Sequence, residues 1–257
     1  MNLVWRAGRI GDGRTPALTA DDPTTRGLGL FETMRARDGD VPWLDDHLDR
    51  LERSARELDL GPFPTRRRLR AAVADLLAAA GPGDWRVTIT ASGAESLLVA
   101  LGPAPAPSDE GVSAVTLRGE WLPARRLAEH KTTGYGAYLL AQRRAEAAGA
   151  EHALLLDERG RLGEAAVANA FCVVDGVLVT APARGLLPGV ARARVLRLAE
   201  VDERAPEERE WRSASEVFLT NALRGVVPVV RIDGRPVGEG SVGDRARSVA
   251  EALAHNG

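Results

Sequence analysis

Proline recurs at every second position in one short stretch of this chain, at residues 103, 105 and 107. A proline cannot donate a backbone hydrogen bond, so this spacing disfavours both a helix and a central strand. Residues 102–108 are therefore expected to form a short, stiff and extended linker. The linker predicts two domains, a small α/β domain over 1–102 and a larger α+β domain over 109–257, with the Pro-rich connection over 103–108.

Hydrophobic periodicity and turn dipeptides predict helices and strands on both sides of the linker. Helices are expected over residues 44–58, 65–80 and 135–149, from residue 189 onward, and over 242–255. Strands are expected over 3–10, 85–91, 96–101, 112–118, 153–157 and 216–220, with hairpins over 30–44 and 171–180. This mixture indicates an α+β protein with two domains, whose cleft would hold any ligand.

The charge balance argues against a protein that binds nucleic acid or a membrane surface. The chain has 34 basic and 36 acidic residues, which gives a formal net charge of −2 at pH 7. Binding to phosphate backbones or anionic lipids would require a strong basic excess. Because no signal segment or membrane-spanning stretch is found, a cytoplasmic protein is expected. The single cysteine, Cys172, excludes an intramolecular disulfide.

Lys131 is the only lysine of the chain, and all other basic residues are arginine. A guanidinium stays protonated in proteins, whereas an ε-amine can lose its proton and attack a carbonyl to form a Schiff base. Taken alone, this bias is explained equally well by codon usage or by a chemical requirement for one amine. The segments that follow Lys131 separate the two explanations.

Three segments downstream of Lys131 form one extended pattern. They read Glu164-Ala165-Ala166-Val167-Ala168-Asn169-Ala170-Phe171, then Leu178-Val179-Thr180, then Leu187-Pro188-Gly189-Val190-Ala191-Arg192. In this order and spacing they resemble the signature of the class IV aminotransferases, the fold type IV enzymes that use pyridoxal 5′-phosphate (PLP). The segments at 30–35 and 47–51 also resemble family segments, so the resemblance covers nearly the whole chain.

The resemblance implies a two-domain fold like that of D-amino-acid aminotransferase, with PLP in the interdomain cleft and no metal. It also implies a small-molecule substrate and a homodimer. Lys131 lies where the family's lysine holds the PLP aldehyde as a Schiff base and later moves a proton. Glu164 matches the glutamate that keeps the pyridine nitrogen protonated, although alone it would be a solvated loop charge. Arg50 matches the phosphate-binding arginine, although alone it would be a surface residue.

Further cofactor contacts follow from the same resemblance. Val190 and Ala191 would start a helix whose free N–H groups suit a phosphate, which does not exclude an ordinary helix start. Ala222 lies in a corner that would approach the phosphate. Tyr135 would either line the cofactor pocket or belong to the core.

Two local features favour a lyase within this family, because the fold alone does not settle the reaction. Thr33 follows Phe31-Glu32, at the position where the corresponding Phe-Glu-Gly segment of branched-chain aminotransferases has its glycine. In the lyases that the chain resembles, a hydroxyl at this position helps to deliver a proton. Asn221 resembles the lyases' corner and would hydrogen-bond the substrate. The expected reaction converts 4-amino-4-deoxychorismate to 4-aminobenzoate and pyruvate, towards folate. The alternative is a class IV aminotransferase that acts on a D-amino acid, a branched-chain amino acid or another small amine.

Two arginines are expected on the substrate side. Arg86 lies on the strand predicted over 85–91, where it would bind a substrate carboxylate or simply face outward. Arg26 stands where family members often carry an aromatic residue. Residues 91–93 also differ from the arginine and glycine that lyases often have there. Both departures concern the substrate pocket and leave the cofactor contacts unaffected.

We expect Lys131→Ala to abolish the visible absorption band of the bound cofactor and to lower turnover by at least about 10³-fold. Lys131→Arg should fail as badly, because the chemistry requires a deprotonated amine and not a positive charge. Absorption spectra of the PLP-treated proteins, followed by turnover assays, check both variants. Normal activity of Lys131→Arg would disprove the Schiff-base assignment.

Overall fold

The structure is a computed structural model that describes residues 2–12, 23–106, 110–121 and 126–255. The chain divides into two compact units, Met1–Pro105 with His130–Tyr135, and Ala106–Glu129 with Gly136–Gly257. The sequence-based division placed Lys131 in the C-terminal domain. In the structure, the segment that contains Lys131 packs with the first unit instead.

An antiparallel sheet with two helices on one face forms the described part of the first unit. Its strands lie in the order β2-β1-β5-β4-β3. In chain order the elements are β1 (Leu3–Arg6), β2 (Arg9–Asp12), a 3-10 helix (Pro23–Arg26), β3 (Leu30–Arg37), α1 (Leu44–Glu57), α2 (Arg66–Ala80), β4 (Asp84–Ala91) and β5 (Leu97–Pro103).

Alternation along β3 and β4 places apolar side chains on the face that packs against the helices. The shared core of this unit includes Met34, Ile89, Leu48, Leu51 and Leu76. Thr65 caps α2, because its hydroxyl accepts a hydrogen bond from the Arg68 N–H at 3.3 Å. Both helices agree with the sequence prediction.

Two predictions at turns were wrong. The single strand predicted over 3–10 is a hairpin, because Ala7 and Gly8 both adopt positive φ, 49° and 79°. That pair of conformations reverses the chain in a two-residue turn.

The hairpin predicted over 30–44 has no second strand, because after one bridge between Arg37 and Asp40 the chain enters α1. The linker begins later than predicted, since Pro103 is still the last residue of β5 and lies opposite Trp85.

A long mixed sheet and four helices form the described part of the second unit. The strands run in the order β11-β10-β9-β12-β13-β6-β7-β8, and β8 also pairs with β9, which closes a ring of six strands. The elements are β6 (Val112–Arg118), a 3-10 helix (Arg126–Glu129), α3 (Gly136–Ala147), β7 (His152–Leu156), β8 (Leu162–Ala165), β9 (Ala168–Val174), β10 (Val177–Thr180), α4 (Val190–Leu198), β11 (Asp202–Glu203), α5 (Glu208–Arg212), β12 (Glu216–Asn221), β13 (Gly225–Ile232), β14 (Arg235–Pro236) and α6 (Asp244–His255).

The helices and the hairpin predicted in this unit are present within a few residues, but two central strands were missed. β8 spans only four residues and includes Gly163 and Glu164. β13 carries Pro228 within it, opposite Phe218, and a proline argues against a strand when a sequence is read alone. Among the described residues, no helix is both long enough and apolar enough to cross a membrane.

His152 is a buried polar residue at the start of β7. It alternates with Leu154 and Leu156, which belong to the core enclosed by the ring of strands. Neither ring nitrogen has a hydrogen-bond partner among the residues that the structure describes. Burial lowers the pKa of His152, the charge of Arg224 lowers it further, and Glu151 opposes this shift in part. Burial therefore favours the neutral form of the imidazole in the folded protein.

Folding stability should decline in mild acid because of His152. Its pKa is lower in the folded state, so the unfolded chain binds the proton more tightly. The stability is complete above the ordinary histidine pKa of about 6.5 and falls below it, by at most about 1.4 kcal/mol per pH unit. Urea unfolding of the wild type and His152→Leu at about pH 7 and about pH 5 measures this loss. The variant should lose less stability over that range, and equal losses would contradict the assignment.

Candidate active site

The backbone around Lys131 extends the sheet of the first unit. β3 lies at one end of the strand order, and its outer edge pairs with residues 131–133. The Phe31 N–H donates to the Lys131 carbonyl at 2.9 Å, and the Thr133 N–H donates to the Gly29 carbonyl at 2.7 Å. The Gly29 N–H also donates to the Thr133 hydroxyl at 2.9 Å. These bonds fix Lys131 directly beside Phe31.

Two aromatic rings hold the Lys131 amine. Its Nζ lies 4.3 Å from the ring centroid of Phe31 and 5.3 Å from that of Tyr135. The two rings meet edge to face, with centroids 5.3 Å apart and an interplanar angle of 87°. Such contacts attract a cation and limit where the amine can lie. Tyr135, whose prediction was open between pocket and core, therefore contacts the amine.

The sheet face that carries Phe31 is polar. Along β3 it presents Thr33, a predicted catalytic residue, and Arg35. The β4 partners of these residues are, in order, Thr90, Thr88 and Arg86. Thr33 is thus two residues from Phe31 on the same face. Arg86 is exposed and lies opposite Arg35, about 13 Å along the strand from Phe31.

The opposite face of β3 contains a buried ionic cluster. Glu32 accepts hydrogen bonds from Arg50 Nε at 2.8 Å and Arg50 Nη2 at 2.6 Å, and its Oε2 lies 2.7 Å from His47 Nδ1. Burial would raise the pKa of Glu32, but the charges and hydrogen bonds of Arg50 and His47 outweigh it and lower that pKa to about 2. Arg50 is only 6% exposed, so it is not an ordinary surface residue.

Arg50 binds Glu32 through one edge of its guanidinium, formed by Nε and Nη2. A guanidinium has five donors in a planar fork, a geometry that suits carboxylates and phosphates. Phosphate binding by Arg50 stays a prediction.

Glu164 is a buried strand residue and not a solvated loop charge. It lies on β8 opposite Asn169 of β9 and is 4% exposed. Its Oε1 accepts from the Tyr138 hydroxyl at 3.3 Å, and its Oε2 accepts from Asn169 Nδ2 at 3.4 Å. These contacts orient a carboxylate in the second unit. Tyr138 was missed in the sequence because nothing in the spacing of α3 connects it with Glu164.

At the start of α4, the backbone of Gly189 lies very close to the side chain of Asn169. Gly189 is the residue before the helix and provides no side-chain cap. A methyl group at Gly189 would collide with Oδ1 of Asn169, whose Nδ2 also donates to the Leu187 carbonyl at 2.9 Å. The N–H groups of Val190 and Ala191 therefore begin the helix beside a glycine at which any side chain would displace the amide group of Asn169. A helix start of this kind attracts anions.

The remaining predicted residues lie at turns. The side-chain oxygen Oδ1 of Asn221 accepts from the N–H groups of Leu223 at 3.0 Å and Arg224 at 2.9 Å, so it stabilises its own corner. Only its Nδ2 group remains outside this turn for a substrate. Ala222 lies inside the turn and offers backbone groups alone. Arg26 is exposed at the end of the 3-10 helix, next to Gly27, whose added Cβ would lie 2.9 Å from Gly134 Cα.

These features fit the chemical groups of PLP. An amine held against aromatic rings suits an aldehyde, and an oriented buried carboxylate suits a pyridinium nitrogen. The helix start at Gly189 and the arginine at position 50 both suit a phosphate. Each of these groups has the charge or hydrogen-bonding capacity that the matching part of PLP requires. Within the described ranges, no cluster of three or more histidine, cysteine or acidic residues is arranged to hold a metal ion.

Removing the carboxylate of the buried cluster should cost far more than removing one from a surface pair. Glu32→Gln removes the carboxylate charge that pairs with the buried Arg50, which we expect to lower the free energy of unfolding by about 3–5 kcal/mol. Glu52→Gln is the matched control, because Glu52 pairs with Arg66 at the surface at 2.8 Å. It should cost no more than about 1 kcal/mol. Urea unfolding compares the two, and equal losses would contradict the buried charge.

Known proteins resemble this chain along almost its whole length. The family model for amino-transferase class IV matches residues 29–232. A putative branched-chain-amino-acid aminotransferase of Methanocaldococcus jannaschii is 32% identical over 246 residues, which cover 88% of this chain and 85% of the relative. The D-alanine aminotransferase of Bacillus licheniformis is 27% identical over 250 residues, with 88% and 87% covered.

Solved structures give the same result. The T.th. branched-chain amino acid aminotransferase with pyridoxamine 5′-phosphate aligns with a TM-score of 0.88 at 27% identity, covering 98% of this chain and 93% of that one. A hypothetical aminotransferase from Mycobacterium tuberculosis in its PLP-bound form aligns with a TM-score of 0.87 at 26% identity, covering 100% and 98%. These matches confirm the predicted α+β architecture of fold type IV and the predicted cofactor.

Proposed function

The chain belongs to the class IV aminotransferase family, and we propose that it is a PLP-dependent aminotransferase that moves an amino group between a small amino acid and a keto acid. The main support for this proposal is the single lysine of the chain. Its amine lies 4.3 Å from the ring centroid of Phe31 and also contacts the ring of Tyr135. The relatives described above are named as branched-chain and D-alanine aminotransferases. Their names support the alternative given by the sequence over the lyase that it favoured first.

PLP, when bound, supplies an aldehyde that captures amines and a protonated ring that accepts the electron pair released at the substrate carbon. Lys131 would hold that aldehyde through its Nζ and, in its free form, would move a proton at the same atom. The rings of Phe31 and Tyr135 keep Nζ in one region so that the transfer distance is short.

Glu164 holds the proton of the ring nitrogen in this proposal. Its two oxygens accept from Tyr138 and Asn169 at 3.3 and 3.4 Å, and these bonds orient the carboxylate. The phosphate dianion would require cationic or N–H donors, for which Arg50 in the first unit and the start of α4 in the second unit are the candidates. Arg86 is an exposed cation on the polar face of β3 and β4, and we assign it to a substrate carboxylate.

A second candidate is the lyase that forms 4-aminobenzoate and pyruvate from 4-amino-4-deoxychorismate. One observation favours it, because Thr33 lies two residues from Phe31 on the face where the Lys131 amine is held. A hydroxyl there can deliver the proton that completes pyruvate. In an aminotransferase no such proton delivery is required of Thr33.

The dependence on an amino acceptor separates the two reactions. The PLP-loaded protein should form keto acid from D- or L-amino acids beyond one equivalent per bound PLP only when a keto acid acceptor is present, and Thr33→Val should retain this rate within about threefold. Liquid chromatography of the products, with and without acceptor, measures it. Formation of 4-aminobenzoate and pyruvate from 4-amino-4-deoxychorismate without an acceptor, lowered at least about tenfold in Thr33→Val, would establish the lyase instead. Absence of both activities would contradict the proposal.

We also propose that the protein is a homodimer, as its resemblance to the family implies. A homodimer would have about twice the chain mass of 27.4 kDa, which light scattering on the full chain measures directly. A mass of one chain would contradict it.

A further inference from the structure

One face of α1 is polar and faces the strands that hold Lys131. His47, Arg50, Ser54 and Glu57 follow one another at spacings of three, four and three, which places them on one side of a helix. The first two bind Glu32 of β3, as described above. The last two contact His130. This polar stripe of α1 therefore reaches both of the paired segments.

His130 is anchored to the polar stripe by its side chain. Its Nδ1 shares a hydrogen bond of 3.0 Å with the hydroxyl of Ser54, and the two residues are 76 positions apart in the sequence. Its Nε2 lies 3.7 Å from Oε2 of Glu57, and the imidazole is only 8% exposed. Ser54 itself is 1% exposed. A polar contact so deeply buried holds its partners in one geometry.

The alternation of extended chains explains why this anchor bears on the amine. Successive side chains point to opposite faces, and Lys131 contacts the Phe31 ring while its neighbour His130 contacts α1. β3 has the same arrangement, with Phe31 on the amine side and Glu32 on the α1 side. His130 is also the first residue of the segment that packs with the first unit. The anchored His130 therefore fixes the position of the Lys131 backbone, from which the lysine side chain extends.

We propose that His130 is a positioning residue, which places the Lys131 amine through its hydrogen bond to Ser54. The proposal rests on the proposed function, in which Lys131 is the amine that holds PLP. Four flexible methylene groups separate Nζ from the backbone, so a small shift of the Lys131 backbone displaces the amine from the two rings. A displacement of about 1 Å can slow a reaction about 10²-fold.

The single lysine makes the test specific. Reductive methylation of the full chain, stripped of PLP, with ¹³C-formaldehyde gives one dimethyl-lysine NMR signal, which belongs to Lys131. In His130→Leu this signal should move and titrate at a different pH, because the amine has left its place against the rings. Turnover of the PLP-loaded variant should fall about 10- to 100-fold in kcat, with KM changed less than about threefold.

Substitution of Ser54 and a conservative substitution of His130 test whether the effect on the Lys131 amine depends on the hydrogen bond between His130 and Ser54. Ser54→Ala should reproduce the loss, and the double variant should lose little more than either single one, since both remove one hydrogen bond. His130→Asn retains a polar group near the Nδ1 position and should recover kcat to within about threefold of the wild type. His255→Asn is the matched control at an exposed histidine of α6, and it should change nothing.

An unchanged Lys131 signal in His130→Leu, with kcat within about twofold of the wild type, would overturn the proposal. If His130→Leu does not fold, Ser54→Ala and His130→Asn decide by the same two readouts. The NMR signal requires neither PLP nor turnover. A protein without cofactor band or turnover would therefore refute the proposed function, while the signal still reports whether His130 positions the amine.

Discussion

The alternation of side chains along β3 is the constraint on which the candidate site of the first unit depends. Phe31 and Thr33 lie on the face of the Lys131 amine, whereas Glu32 lies on the face of α1. A shift of one residue in the pairing of β3 with β4 would exchange these faces. It would bury the aromatic ring against the helix and present a carboxylate to the lysine. The eight register pairs of β3 and β4 prevent that shift.

The ionic cluster behind this strand is a costly way to hold it. Removing Glu32, His47 and Arg50 from water carries a desolvation penalty that well-packed apolar residues would avoid. The cluster nevertheless fixes the orientation of Arg50, because a bidentate pair to one carboxylate restricts the guanidinium plane. Its structural consequence is a guanidinium held in one defined direction. Stability alone would favour an apolar core at this place.

Sequence reasoning selected candidate site residues by their chemical signature. The lone lysine and the spaced motif after it predicted Lys131, Glu164 and the start of α4, and the periodic segments predicted α1 and α2. The contacts that position these residues could not be predicted, because they join distant parts of the chain. Ser54 and His130 are 76 positions apart, and Tyr138 and Glu164 are 26 apart. No local pattern signals such pairs, and the proline in β13 signals against its strand.

The central claim is that Lys131 is the amine that holds the cofactor. Borohydride reduction of the PLP-treated full chain fixes the linkage, and peptide mass spectrometry then locates the pyridoxyl group. The α-amino group and Lys131 are the amines available, since the chain has one lysine. The account predicts stoichiometric labelling of the peptide that contains Lys131. Labelling confined to the α-amino group, or none at all, would contradict it.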